Sequence, residues 1–246
     1  MKIRIAYIEE PPFYWTGDDR RATGADIELA EVVLRAIGAS VIAHRPTSFA
    51  ELLPGVQEGR WDMNVPIFVT AERARHVAFS VPVWTLGDGF LVRPGNPKAL
   101  TSYEAVAARS DARLGIIAGQ VQRESAGSAG VRGDQMVVFE DQPEAIAALL
   151  AGTIDAFAGT ALGQRTVAGA NPSVEAVTHG AAGATRPVGA FSFARGNRAL
   201  LRAVDDELRR YLGSVDHRTR MAKYGFTQAE IDGALAPPSS VLDAAR

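Results

Sequence analysis

The stretch ELLPGVQEGRWDMNVPIFVTAERARHVAFS, residues 51–80, sets a helix, an apolar strand and a second helix start in quick succession. The helix that includes Glu51 runs to about Glu58, and Gly59 ends it. Trp61–Phe68 is an apolar strand carrying Pro66, and a proline argues against full pairing at that end. Thr70 caps a short helix that contains Glu72 and Arg73. A guanidinium held just past a strand end is suited to grip a carboxylate with two parallel hydrogen bonds. The alternative for Arg73 is a solvated surface charge, the reading given to Arg75.

Upstream, Ile3, Ile5 and Tyr7 begin a strand that the Pro11–Pro12 pair ends. Gly24–Ile37 has apolar residues at helical spacing and stops at Gly38. Val41–Ala43 reads as a second strand. Ser48 with Glu51 three residues on forms a capping box for the helix from Phe49 to about Glu58. Strand, helix, strand, helix, strand is the pattern of a doubly wound α/β layer.

Downstream, Gly87–Val92 reads as a strand leaving this first unit. Tyr103–Ala108, the helix from Asp141 or Gln142 through Leu150, and Leu162–Ala168 alternate with strands at Leu114–Ile117, Met136–Phe139 and Ile154–Ala158. Val188–Phe193 is a strand, followed by a long helix from Arg198 to about Leu212. A last helix lies around His217–Lys223, and the tail from Pro237 reads as loose. The expected fold class is α/β, with two doubly wound lobes joined by two crossovers. Lobe 1 takes residues 1–88 and 188–246, and lobe 2 takes 89–187. Clefts between lobes are favoured ligand sites, and two crossovers make a hinge.

Composition narrows the function. With 47% hydrophobic and 22% charged residues over 246 positions, the chain reads as an ordinary globular protein. A net charge of -2 gives no field that favours nucleic acid. No cysteine is present, which excludes disulfides and thiolate chemistry. The four histidines are scattered without metal-ligand spacing, so neither a metal nor another cofactor is expected. The glycines of residues 127–133 lack a Walker ending, and there is no nucleophile elbow. No apolar run approaches the roughly 18–20 residues of a membrane span. The first residues read as a strand rather than a signal peptide, so the protein is either cytoplasmic or carried a leader since removed.

Five blocks in order carry a family resemblance: GADIELAEVVLRAIG (24–38), SFAELLPGVQEGRWD (48–62), VTAERARHVAFSVPV (69–83), VFEDQPEAIAALLAGTIDAFAG (138–159) and VGAFSFARGN (188–197). Together they resemble the periplasmic solute-binding proteins of polar amino-acid ABC transporters, with the type II periplasmic-binding fold. The resemblance implies a monomeric, non-catalytic receptor in the periplasm or at the extracellular surface. It would bind a small zwitterionic ligand between its lobes and deliver it to a membrane permease.

By that resemblance Arg73 holds the ligand carboxylate and Thr70 lines the same wall. The turn Gly119–Gln120–Val121 supplies donors from lobe 2, and Asp155 is structural. The chain departs from the family in several places. Thr160 stands where an acid usually holds the ligand ammonium. Phe68 replaces a common Thr or Ser, and Pro66 or Ile67 replaces the glycine before it, with one residue deleted. Glu10, Phe13, Phe49, Phe68, Arg73 and Thr160 together resemble the ectoine-binding branch, where aromatic faces surround a delocalised cation. Each such face contributes about 0.5–2 kcal/mol.

The three phenylalanines also read as plain core residues, with Trp84 and Trp15 in reserve. Glu10 is either an exposed turn acid, as Glu9 is taken to be, or the cation's new partner. Asp88 and Gln122 are weaker candidates. Two other functions suit the same fold. One is a cyclohexadienyl or arogenate dehydratase, for which Glu10 is the one good acid. The other is the sensor domain of a larger membrane receptor.

Overall fold

The computed structural model describes residues 1–179 and 187–235, and the expected loose tail from Pro237 lies outside them. The chain forms two mixed α/β lobes joined by crossover strands. Unit 1 comprises Met1–Leu86 with Thr185–Arg246, and unit 2 comprises Gly87–Ala184.

In unit 1 the chain runs β1 (Lys2–Tyr7), β2 (Trp15–Thr16), β3 (Ala22–Thr23), α1 (Ala25–Ala36), β4 (Val41–Pro46), α2 (Phe49–Gln57), β5 (Met63–Phe68), α3 (Ala71–Ala74), β6 (Ala78–Phe79) and β7 (Trp84–Thr85). Unit 2 holds β8 (Asp88–Val92), α4 (Tyr103–Ala107), β9 (Leu114–Ile117), α5 (Gln122–Ser128), β10 (Met136–Phe139), α6 (Gln142–Leu150), β11 (Ala156–Thr160), α7 (Ala161–Ala170) and β12 (Glu175–Thr178). Unit 1 resumes with β13 (Val188–Phe193), α8 (Arg198–Tyr211), α9 (Val215–Lys223) and α10 (Gln228–Leu235).

The main sheet of unit 1 has the order β4-β1-β5-β13-β6, with β7 also on β13. Strands β4, β1 and β5 are parallel, so their C-terminal ends share one edge. Strand β13 returns antiparallel to β5. Open α/β sheets bind ligands at that carboxyl edge.

All six residues of β5 are buried, which places it centrally despite Pro66. The proline is accommodated because pairing to β1 stops at Asn64 and the β13 register shifts between Ala190 and Ser192. The ladder is therefore irregular where the missing N–H would otherwise be needed.

Helix α2 begins after Ser48 as expected, but the capping box does not form. Ser48 makes no side-chain cap bond. Glu51 instead accepts from Arg60 at 2.6 Å, a charge-assisted contact that outcompetes reaching back to a backbone amide. Thr70 and Asp141 do cap their helices, accepting from Arg73 N and Glu144 N.

The sheet of unit 2 has the order β10-β9-β11-β8-β12. Strands β10, β9 and β11 are parallel; β8 runs antiparallel to β11, and β12 pairs antiparallel with β8. Two apolar cores lie on the opposite faces of this sheet. Phe90, Tyr103, Leu114 and Ile116 belong to one, and Leu91, Leu149, Ile154 and Phe157 to the other. That split follows the period-2 alternation of β8. Strand β11 starts at Ala156 and ends at Thr160, two residues later than the sequence suggests. Ile154 packs into the core just before it rather than in the ladder. Among the described residues no helix is long and apolar enough to cross a membrane.

Candidate functional site

The carboxyl edge of unit 1 gathers Glu10 and Phe13 after β1, Phe49 after β4, Phe68 at the end of β5, and Thr70 and Arg73 after it. Arg73 is buried, at 8% exposure. Its position follows from the cap: Thr70 Oγ1 accepts from Arg73 N at 3.1 Å and starts α3. Arg73 Nη1 donates to Phe68 O at 2.8 Å, which pins the guanidinium against the end of β5. Its Cζ lies 5.1 Å from the centre of the Phe49 ring, within cation–π range. Arg73 is therefore a constrained interior cation. Arg75, two positions on, ion-pairs with Glu72 on the surface.

The two acids after β1 separate clearly. Glu9 accepts from Thr16 N at 2.9 Å and Thr16 Oγ1 at 2.6 Å, tying down the surface turn. Glu10 is buried at 9% exposure, and its backbone pairs with Tyr14. The Tyr14 hydroxyl is pushed far up in pKa, first by burial, then by the charges of Glu10 and Asp26, with Arg73 pulling the other way. It also hydrogen-bonds Glu10. One buried phenol thus senses Glu10, Asp26 and Arg73 together.

The aromatic residues divide by depth. Phe68 stands edge-on to Trp84 with centroids 5.3 Å apart, and Phe13 tilts against the same indole at 5.8 Å. Phe13 also packs on Tyr14 and Phe226, and only 2% of its surface is exposed. Phe49 is half-buried beneath Arg73. Trp15 lies apart from these rings, against Tyr224.

Trp84 links Phe13 to Phe68, and its Nε1 donates to both oxygens of Asp26 at 3.2 Å. Asp26 has no exposed surface. Burial pushes its carboxyl well above the usual range, Glu10 adds to the push, and the Trp84 bond opposes it. Sequence reasoning placed Asp26 only within a family block and gave it no role. Its one signal was an acid in the first turn of α1, where the helix dipole favours negative charge.

At the matching edge of unit 2, Gly119 adopts a left-handed φ of 78° as the chain leaves β9. Gln120 N donates to Ile117 O, and Val121 O accepts from Glu124 N and Ser125 N of α5. Thr160 is buried and its hydroxyl accepts from Gly163 N at 3.1 Å, capping α7. Asp155 accepts from Lys98 at 2.8 Å, Arg93 at 3.3 Å and Arg113 N at 2.9 Å, so it serves the scaffold. Asp88 accepts from the Tyr103 hydroxyl at 2.7 Å and from Gln122 Nε2 at 2.9 Å. Tyr103 was read from sequence only as the start of a weak helix. Among the described residues no group of three or more His, Asp or Glu side chains is placed to hold a metal ion.

Several known proteins resemble the chain. It is 28% identical over 237 residues to the probable amino-acid ABC transporter periplasmic-binding protein y4tE of Sinorhizobium fredii, covering 93% of this chain and 78% of that protein. It is 26% identical over 199 residues to the L-cystine-binding protein TcyJ of Escherichia coli, covering 80% and 72%. The crystal structure of EhuB in complex with hydroxyectoine superposes with a TM-score of 0.88 at 29% identity, covering 100% of this chain and 95% of that one. The model of one family matches residues 3–227, and the chain belongs to that family, the bacterial extracellular solute-binding proteins, family 3.

Proposed function

We propose that the protein binds a small zwitterionic solute outside the cytoplasm and delivers it to an ABC-transporter permease, without chemistry. The observation that carries this reading is Arg73. It is a buried guanidinium fixed by a backbone carbonyl and an aromatic face at a sheet's carboxyl edge. Such a group recognises carboxylate with directional, charge-assisted bonds. The names of y4tE, TcyJ and EhuB support the solute class and the transporter partner.

In this reading Arg73 and Thr70 receive the ligand carboxylate. Phe49 and Phe68, backed by Phe13 and Trp84, flank its cationic part, and Glu10 supplies the opposite charge. Gly119, Gln120 and Val121 add donors, and Thr160 adds wall. A group fixed before the ligand arrives loses little entropy on binding.

Calorimetry with hydroxyectoine, ectoine, L-cystine, L-arginine and L-glutamine tests it. Whichever solute binds the native protein is expected to lose about 2–5 kcal/mol of affinity in Arg73→Ala. Arg73→Lys should recover only part, because an ammonium cannot reproduce the fork. An Arg73→Ala protein that binds as tightly as native would overturn the carboxylate reading.

A further inference from the structure

Two devices within unit 1 seat the Trp84 indole, and burial alone requires neither. The first is polar. Trp84 Nε1 donates to the Asp26 carboxyl at 3.2 Å, and Asp26 lies fully buried in the first turn of α1. That turn is fastened to the loop after β1. Asp26 N donates to Phe13 O at 2.9 Å, and a β-carbon at Gly24 would lie 2.3 Å from the same oxygen. The second device is a gap. Gly189 of β13 pairs with Trp84 on one side and with Phe68 on the other. A β-carbon at Gly189 would come within 2.1 Å of the indole, so the ring fills the space a side chain would take.

Holding a ring with a buried acid costs stability. An ionised carboxylate has about four acceptor positions. Among the described residues Trp84 is the one side chain that donates to Asp26, and no Lys, Arg or His pairs with it. A carboxyl so placed favours its neutral form, which still accepts through its carbonyl oxygen. An apolar pair of the same shape could stand at positions 26 and 84 with little loss of stability. The polar pair adds direction, because a hydrogen bond fixes the rotation of the indole plane. Phe68 receives that direction. Its ring meets Trp84 edge-on with centroids 5.3 Å apart, and its carbonyl accepts from Arg73 Nη1 at 2.8 Å.

We propose that Asp26 is a positioning residue for the binding wall of unit 1: it sets the Trp84 indole, and through it Phe68 and the Arg73 guanidinium, before the solute arrives. Asp26 touches no solute itself. The proposal rests on the solute-binding reading above and assigns the preset geometry of that wall to a residue behind it.

The test separates binding from stability. Calorimetry uses whichever of the five solutes above binds the native protein most tightly, and urea unfolding is run on the same samples. Asp26→Leu strands the Trp84 N–H, so it should lower the unfolding midpoint and weaken binding by about 10-fold, the scale of one net hydrogen bond. Asp26→Leu combined with Trp84→Phe removes both polar partners. It should regain most of the lost stability while binding stays about 10-fold weak. Asp26→Asn keeps an acceptor without charge and should bind within about threefold of native. In the solute-free protein, the Arg73 Nε–H resonance, assigned by its loss in Arg73→Lys, should move in the double variant.

A double variant that binds as native overturns the proposal, as does an Arg73 resonance that stays in place. Affinity that recovers together with stability marks a purely structural pair and overturns it too. So does an Asp26→Asn protein as weak as Asp26→Leu, since the charge rather than the acceptor would then matter. The carboxylate reading fails separately, through an Arg73→Ala protein that binds as native. If Arg73→Ala loses binding while the Asp26 variants keep it, the reading stands and the positioning role falls.

Discussion

His217, on α9, is fully buried, with Nδ1 accepting from Gly213 N at 3.1 Å and its ring edge-on to Tyr211. Its pKa is pushed down to about 4, chiefly by burial and then by Arg218, against a smaller pull from Asp216. An unfolded histidine titrates near 6.5, so on acidification the unfolded chain takes the proton first. The stability this residue contributes is complete above about pH 6.5 and is lost as the pH falls toward 4. The expected loss is on the order of 2 kcal/mol across that window. Asp26 acts in the opposite sense, since its raised pKa favours the folded protonated form at low pH. Urea unfolding at several pH values, native against His217→Gln, isolates the histidine: the variant's profile should be flatter between pH 6.5 and 4. Nothing in the sequence marked His217 as buried, because its helix reads polar on most sides and its partners come from the preceding turn.

At the scale of elements, the packing of α2 onto β5 depends on a glycine. A β-carbon at Gly55 would lie 2.0 Å from the Trp61 ring. Trp61 is itself fixed, because Nε1 donates to Asn64 Oδ1 at 2.5 Å and Asn64 donates to Ser192 on β13 at 2.9 Å. Neither partner yields cheaply, so Gly55→Ala should cost about 1–3 kcal/mol in urea unfolding with little change in m-value. Periodicity found most elements here, since α1, α6 and α8 carry their apolar residues at helical spacing and end at turn signals. It missed β12 and α10, which are short and weakly patterned. It also failed at the Ser48 cap, where the deciding partner, Arg60, is remote in the helix register.

For the whole molecule, the alternation of strands and helices and the return of β13 were legible because each is a local pattern repeated in order. The candidate site residues were named from sequence only where chemistry sits beside a strand end, as at Arg73, Phe68 and Glu10. Trp84 and Asp26 were not, because their meeting joins residues 58 positions apart and no local spacing encodes it. Asp88 and Thr160 are likewise brought opposite each other by a strand pairing that spans most of unit 2.

That pairing constrains how the protein can diverge. Thr160 is a helix cap, and aspartate caps at least as well, so an acid there would satisfy α7. Yet two acids directly opposed across strands repel by roughly 0.2–1 kcal/mol. Thr160→Asp should therefore destabilise the native protein more than it destabilises an Asp88→Asn background, a coupling that a double-mutant cycle of unfolding free energies reads directly. An acid gained at position 160 is therefore expected to be tolerated better once the acid at position 88 is gone. The order in which the two positions change would then matter, though the fold is the same throughout.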